Sequence, residues 1–180
     1  WVNPGQIDLL NYVEGEEAPT YDRPLTVEIW YPAIIPNGTD AYTEYPSMVG
    51  RATIDESRPL IPFNWPGRAL RDAEPDLSGG PYPLVIVAHG YPGNRYLLTY
   101  LTENLASKGY VVLAADHTDS TYADGGVFTS TLLNRPLDIL FMIDQAAELS
   151  QADADSVLAG LANADLTAIV GYSMGGYGAL

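Results

Sequence analysis

The chain reads as an α/β protein: a mostly parallel sheet with helices on both faces. Three observations carry this reading. Residues 84–88 (Leu-Val-Ile-Val-Ala), 110–115 (Tyr-Val-Val-Leu-Ala-Ala) and 166–171 (Leu-Thr-Ala-Ile-Val-Gly) are continuous apolar runs, the mark of strands buried on both faces. Helical spacing separates the first run from the second and the second from the third. Each connection is long enough for a crossover between parallel strands.

Each element has its own warrant. Residues 25–31 (Leu-Thr-Val-Glu-Ile-Trp-Tyr) alternate with period two and predict a strand with one polar face. A weaker strand is expected at 7–12. Residues 32–83 are rich in Pro and Gly and hold no period, which predicts a functional loop region or a set of short surface elements. Leu97, Tyr100, Leu101 and Leu105 predict a helix over 96–108, with Gly109 at its C-terminal cap. Asn134 as cap and Pro136 in the first turn predict a second helix to about 150, with Leu140, Ile143 and Ala147 on one face. A short helix is expected over 156–162. In open sheets of this kind ligands sit beyond the C-terminal strand ends, which fall at His89, Asp116 and Ser173.

Composition narrows the function. A chain of 180 residues is enough for one domain with a sizeable core. Asp plus Glu is 23 and Lys plus Arg is 8, a formal charge of −15, and Lys108 is the single lysine. Such a surface repels phosphate backbones and anionic membranes, so nucleic acid is not an expected partner. It suits high salt, or is simply acidic. The absence of cysteine excludes disulfides, thiolate metal sites and a cysteine nucleophile. No apolar run reaches the length of a membrane span.

Two motifs carry chemistry. Gly171-Tyr172-Ser173-Met174-Gly175-Gly176 is a G-x-S-x-G sequence directly after a buried strand and before a helix. In that context the serine sits on a tight turn with its Oγ exposed, and the glycines let strand and helix backbones approach. His89-Gly90-Tyr91-Pro92-Gly93 follows an earlier buried strand, where a nucleophile-elbow enzyme needs a backbone N–H for the oxyanion. The other donor is the N–H of Met174. The bland readings are a glycine-rich strand–helix turn and an ordinary Pro-Gly turn.

Taken together, Pro-Leu-Val-Ile-Val-Ala-His-Gly-Tyr-Pro-Gly-Asn, Leu-Ala-Ser-Lys-Gly-Tyr-Val-Val-Leu-Ala-Ala-Asp-His and Ile-Val-Gly-Tyr-Ser-Met-Gly-Gly resemble the α/β-hydrolases. Within them the chain is similar to bacterial platelet-activating-factor acetylhydrolase-like and dienelactone hydrolase-like proteins, with Asp22 to Ala33 like their early strand. Gly90-Tyr91 with Gly-Tyr-Ser-Met-Gly-Gly also resembles cutinase-type polyester hydrolases. The resemblance implies Ser173 as nucleophile, backbone donors at Tyr91 and Met174, and no cofactor or metal. It also implies an acid and a histidine later in the chain, for which no position follows Ser173 before residue 180. The expectation is therefore an incomplete α/β-hydrolase fold: residues 1–180 as the N-terminal part of one domain, with early strands and a Pro/Gly-rich segment over 1–82 and the strand–helix core over 83–180. The remaining C-terminal part is an expected partner, as further chain or as a second polypeptide. A signal peptide, had one existed, would precede Trp1.

Other candidates are weaker. Gly90 and Tyr172 are expected to line the substrate site. Phe63 and Trp65 are candidate lid or acyl-pocket aromatics, or anchors of a long loop. His89 matches a loop-supporting position. His117, in Asp116-His117-Thr118-Asp119, reads as structural or as substrate rim, with a hard metal site at Asp116, His117 and Asp119 as a minor alternative. The leading function is a serine ester hydrolase acting on small or polymeric esters. The alternatives are a serine peptidase of the prolyl-oligopeptidase type and a non-catalytic binding domain on the same fold.

Overall fold

A computed structural model describes residues 1–50, 55–151 and 153–180. The elements run in order β1 (Val2–Ile7), β2 (Thr20–Trp30), β3 (Ala33–Ile34), β4 (Thr43–Val49), β5 (Ile61–Gly67), β6 (Glu74–Pro75), β7 (Tyr82–Ala88), α1 (Thr99–Ala106), β8 (Val111–His117), α2 (Phe128–Leu149), β9 (Ala162–Gly171) and α3 (Met174–Gly178). Five strands form the main sheet in the order β1-β2-β8-β7-β9. β7 is parallel to both β8 and β9, while β2 is antiparallel to β8 and to β1. The register sets Ile86 beside Leu113 and Ile169, so β7, β8 and β9 finish at one end of the sheet.

The apolar runs explain the layers. Side chains alternate across a strand, and Leu84, Ile86, Val111 and Leu113 face α2, where Ile139, Met142 and Ala146 close the core with Leu158 and Leu161. Val85, Val87, Val112 and Ala114 face the other way, with Trp30, Tyr45, Tyr96 and Ala106 of α1. Each such aliphatic side chain contributes roughly 1.5–3 kcal/mol when fully buried. Helices thus cover both faces, as the runs predict.

The proline-rich segment resolves into short surface elements. β4 and β5 pair as a hairpin from Thr43↔Gly67 to Val49↔Ile61, and β3 pairs with β6. Trp30 Nε1 donates to Tyr45 Oη at 2.9 Å, and Tyr45 donates to Glu103 Oε1 at 2.7 Å. The same carboxylate oxygen accepts the Arg68 and Ala69 N–H groups. The hairpin is thereby fixed to β2 and α1. Lys108 is exposed in the turn between α1 and β8, at the sheet end opposite Ser173.

Several expectations are corrected. The first strand is Val2–Ile7 and not 7–12, because Asp8 accepts the N–H groups of Leu10 and Asn11 and closes a turn there. Helix α1 is shorter than 96–108, although Gly109 takes the left-handed conformation expected of it, φ 90°. Asn134 does not cap α2. The helix starts at Phe128, Asn134 is buried and donates to Ser130 Oγ at 3.1 Å, and Pro136 lies inside the helix. Residues 156–161 form turns in place of the helix expected over 156–162, with Leu158 and Leu161 inserted into the core, and Ala162 already opens β9. Within these 180 residues β9 is the sheet edge, and Leu166 is 59% exposed. Among the described residues no helix is long and apolar enough to cross a membrane.

Candidate functional site

The site lies where β7, β8 and β9 end. Ser173 follows β9 and opens α3 with φ 53° and ψ −114°, a conformation that costs a non-glycine residue about 1–3 kcal/mol. The neighbouring glycines explain how it is held. A side chain at Gly175 would meet the Ala88 carbonyl carbon at 2.6 Å and His89 O at 2.9 Å, and one at Gly171 would run into the Gly175–Gly176 backbone. Strand and helix therefore touch backbone to backbone. Tyr172 N–H donates to Ala88 O at 3.0 Å, and Gly176 N–H donates to Ser173 O at 2.9 Å. Ser173 is exposed at the apex, and Met174 is the first helical residue.

The loop after β7 crosses this apex. A β-carbon on Gly90 would stand 3.3 Å from Ser173 Cβ and 3.1 Å from Tyr172 Cδ1. Tyr91 packs edge-on against Phe128 at 5.1 Å. A cavity of about 370 Å³ opens here, lined by Gly90, Tyr91, Leu97, Tyr122, Tyr172 and Ser173. Val49 and Arg58, near the end of the hairpin, close its rim. The structure thus brings together Ser173, Gly90, Tyr91 and Tyr172.

It does not bring Phe63 or Trp65 to that cavity. They stack edge to face at 5.0 Å on β5. Trp65 lines a larger cavity, about 1260 Å³, between the hairpin, α1 and the end of β2. In that larger space Glu103 is spent on Tyr45, Arg68 and Ala69, and Glu28 on Arg71 and Tyr96. It presents no serine on a strained turn, so the smaller cavity is the chemical candidate.

Both histidines are committed to structure. His89 is buried; its Nδ1 lies 2.7 Å from Gly90 O, and its Nε2 accepts the His117 N–H at 3.3 Å. The Nδ1–H tautomer follows, and burial holds its pKa well below the usual range. His117 Nδ1 lies 3.0 Å from Asp138 Oδ2. Burial, aided by the Arg135 charge and opposed by Asp138, pulls His117 down to about 4. Asp138 also accepts Arg23 Nε at 2.9 Å, and Arg23 reaches Asp119 at 2.9 Å. Burial raises the Asp116 carboxyl, against its hydrogen bonds from Arg95. The minor metal reading is corrected on these grounds: Asp116, His117 and Asp119 each turn to a different protein partner, and among the described residues no three such side chains converge.

Sequence reasoning missed this buried network and Arg135. Arg135 is fully buried; it donates to His89 O and to Ser120 Oγ, and burial brings it down to about 10. The signal was present. Arg135 and Asp138 precede Ile139, Met142 and Ala146 at helical spacing, so two charges occupy the apolar face of α2.

The parallel core, its crossover helices and the strand–turn–helix at Ser173 define the α/β-hydrolase fold. The solved ferulic acid esterase from Streptomyces cinnamoneus superposes with a TM-score of 0.59 at 24% identity, over 88% of this chain and 47% of its own. Residues 69–147 match the family platelet-activating factor acetylhydrolase, isoform II. Cutinase est2 of Thermobifida alba is 30% identical over 99 residues, 55% of this chain and 29% of the cutinase. Cutinase 2 of Thermobifida cellulosilytica is 28% identical over 145 residues, 81% of this chain and 50% of the cutinase. The chain resembles cutinase-type serine esterases and spans half or less of the length of these relatives.

Proposed function

We propose that this chain is the nucleophile-bearing part of a serine carboxylic-ester hydrolase. The observation that carries the reading is Ser173 itself: exposed, at positive φ between a strand and a helix, with the Gly90 loop beside it. Ser173 Oγ attacks the ester carbonyl carbon while a histidine takes its proton. The N–H groups of Tyr91 and Met174 receive the oxyanion. The carbon–oxygen bond to the alcohol breaks, the alcohol leaves with a proton from that histidine, and water then hydrolyses the acyl-enzyme. Gly90 admits the carbonyl, and Tyr172 forms part of the wall. Since His89 and His117 are committed elsewhere, the base and its acid come from polypeptide outside these 180 residues. The similarity to cutinases and to a ferulic acid esterase supports ester substrates of small or polymeric kind.

The test uses the full-length protein. A fluorophosphonate should label Ser173, and Ser173→Ala should abolish p-nitrophenyl acetate turnover while leaving the circular dichroism spectrum unchanged. Wild-type turnover by that variant would reject the assignment. Failure of the wild type to label at all would favour a non-catalytic binding domain.

A further inference from the structure

We propose that Arg135 is the positioning residue that sets the Gly90–Tyr91 loop against Ser173; the proposal rests on the ester-hydrolase reading above. Arg135 is buried within α2 and reaches three elements at once. Its guanidinium donates to the His89 carbonyl, at the start of the loop. It also donates to Ser120 Oγ, and the Ser120 carbonyl accepts the Gly93 N–H at 3.1 Å, at the loop's far end. Its aliphatic stem packs against α3: a side chain at Gly178 would collide with Arg135 Cγ. One side chain therefore holds both ends of the donor-bearing loop and the helix that begins after Ser173.

The partners are unusual for a buried cation. Among the described residues Arg135 makes no ion pair, since Asp138 is engaged by Arg23 and His117. A buried guanidinium with only neutral partners carries a desolvation cost that an apolar side chain of like volume would avoid. What the charge supplies is directional bonds to two oxygens, one of them the peptide oxygen between His89 and Gly90. Because a peptide is planar, fixing that oxygen fixes the plane that carries the Gly90 N–H, and the next plane, which carries the Tyr91 N–H, is held through its Gly90 oxygen, 2.7 Å from Nδ1 of the same His89. Donor placement matters steeply in such sites, where an error of about 1 Å costs about a hundredfold.

The experiment compares wild type, Arg135→Met, Arg135→Lys and Ser120→Ala in the full-length protein, reading kcat and KM separately with the folded fraction measured for each. Arg135→Met should lose about a hundredfold in kcat with KM within about threefold. Arg135→Lys, which keeps one charged donor, should recover part of that loss. Ser120→Ala removes one partner without leaving a buried charge free of all bonds, and should lower kcat by about three- to tenfold. If Arg135→Met does not fold, Ser120→Ala and Arg135→Lys decide. Unchanged kcat per folded molecule in these variants, with wild-type Ser173 still labelled by fluorophosphonate, would overturn the role of Arg135 alone. An unlabelled wild type would overturn the ester-hydrolase reading beneath it.

Discussion

Lowering the pH should destabilise this fold in a window set by its histidines. His117 has a folded-state pKa of about 4 against an ordinary value of 6.5. The native state therefore binds fewer protons than the unfolded chain between those values, and unfolding free energy must fall as pH falls. The contribution is complete above about pH 6.5, declines toward pH 4, and is constant below. A gap of about two and a half pH units at about 1.36 kcal/mol each gives about 3 kcal/mol as an upper bound. His89, held low by burial, acts in the same direction. Asp138 is held below its usual range by His117 and Arg23 despite its burial, so its own loss comes at lower pH. Urea unfolding followed by tryptophan fluorescence between about pH 7 and pH 4 reads the slope. In His117→Asn, whose amide can still donate to Asp138, the slope should shrink by about one proton. Identical slopes in variant and wild type would refute the assignment of a neutral, buried His117.

Other consequences are open to direct measurement. Gly90→Val should harm kcat far more than Tyr91→Phe, because a β-carbon at 90 crowds Tyr172 and Ser173 whereas Tyr91→Phe keeps its backbone N–H; loss of one oxyanion donor costs about 2.7–4 kcal/mol of barrier, and equal small effects would reject that placement. Asp138→Ala should lower unfolding free energy by about 3–5 kcal/mol in chemical denaturation, since it strips two hydrogen bonds from the fully buried Arg23 guanidinium. Gly175→Ala should reduce activity and stability together, because its β-carbon meets backbone, which cannot yield as a side chain would.

The central strands and the serine turn were legible because one force shaped each: continuous burial for residues 84–88 and 110–115, and backbone contact for Gly171 and Gly175. Legibility failed where burial and polarity part company. Asn134 looks like a helix cap because exposed asparagines cap helices, yet here it lies inside the helix with Ser130, beside Arg135 and Asp138. The run at 166–171 looks doubly buried, but its burial depends on what lies beside β9, which local pattern does not encode. Val2–Ile7 contains Pro4 and Gly5, poor strand formers, and pairs through an irregularity between Asn3 and Gln6. Within the candidate site, the sequence named the serine and the loop but not the arginine that joins them, because that link is between α2 and two distant turns.

The place of Lys108 has a practical consequence. It is the only lysine among these 180 residues, and it is exposed at the turn before β8. The parallel strands carry that turn and the Ser173 cavity to opposite ends of the sheet. An amine-reactive resin that couples through this residue would tether the chain by its base and leave the cavity turned toward the liquid. A dye attached at the same point would mark the molecule a full strand length from the nucleophile.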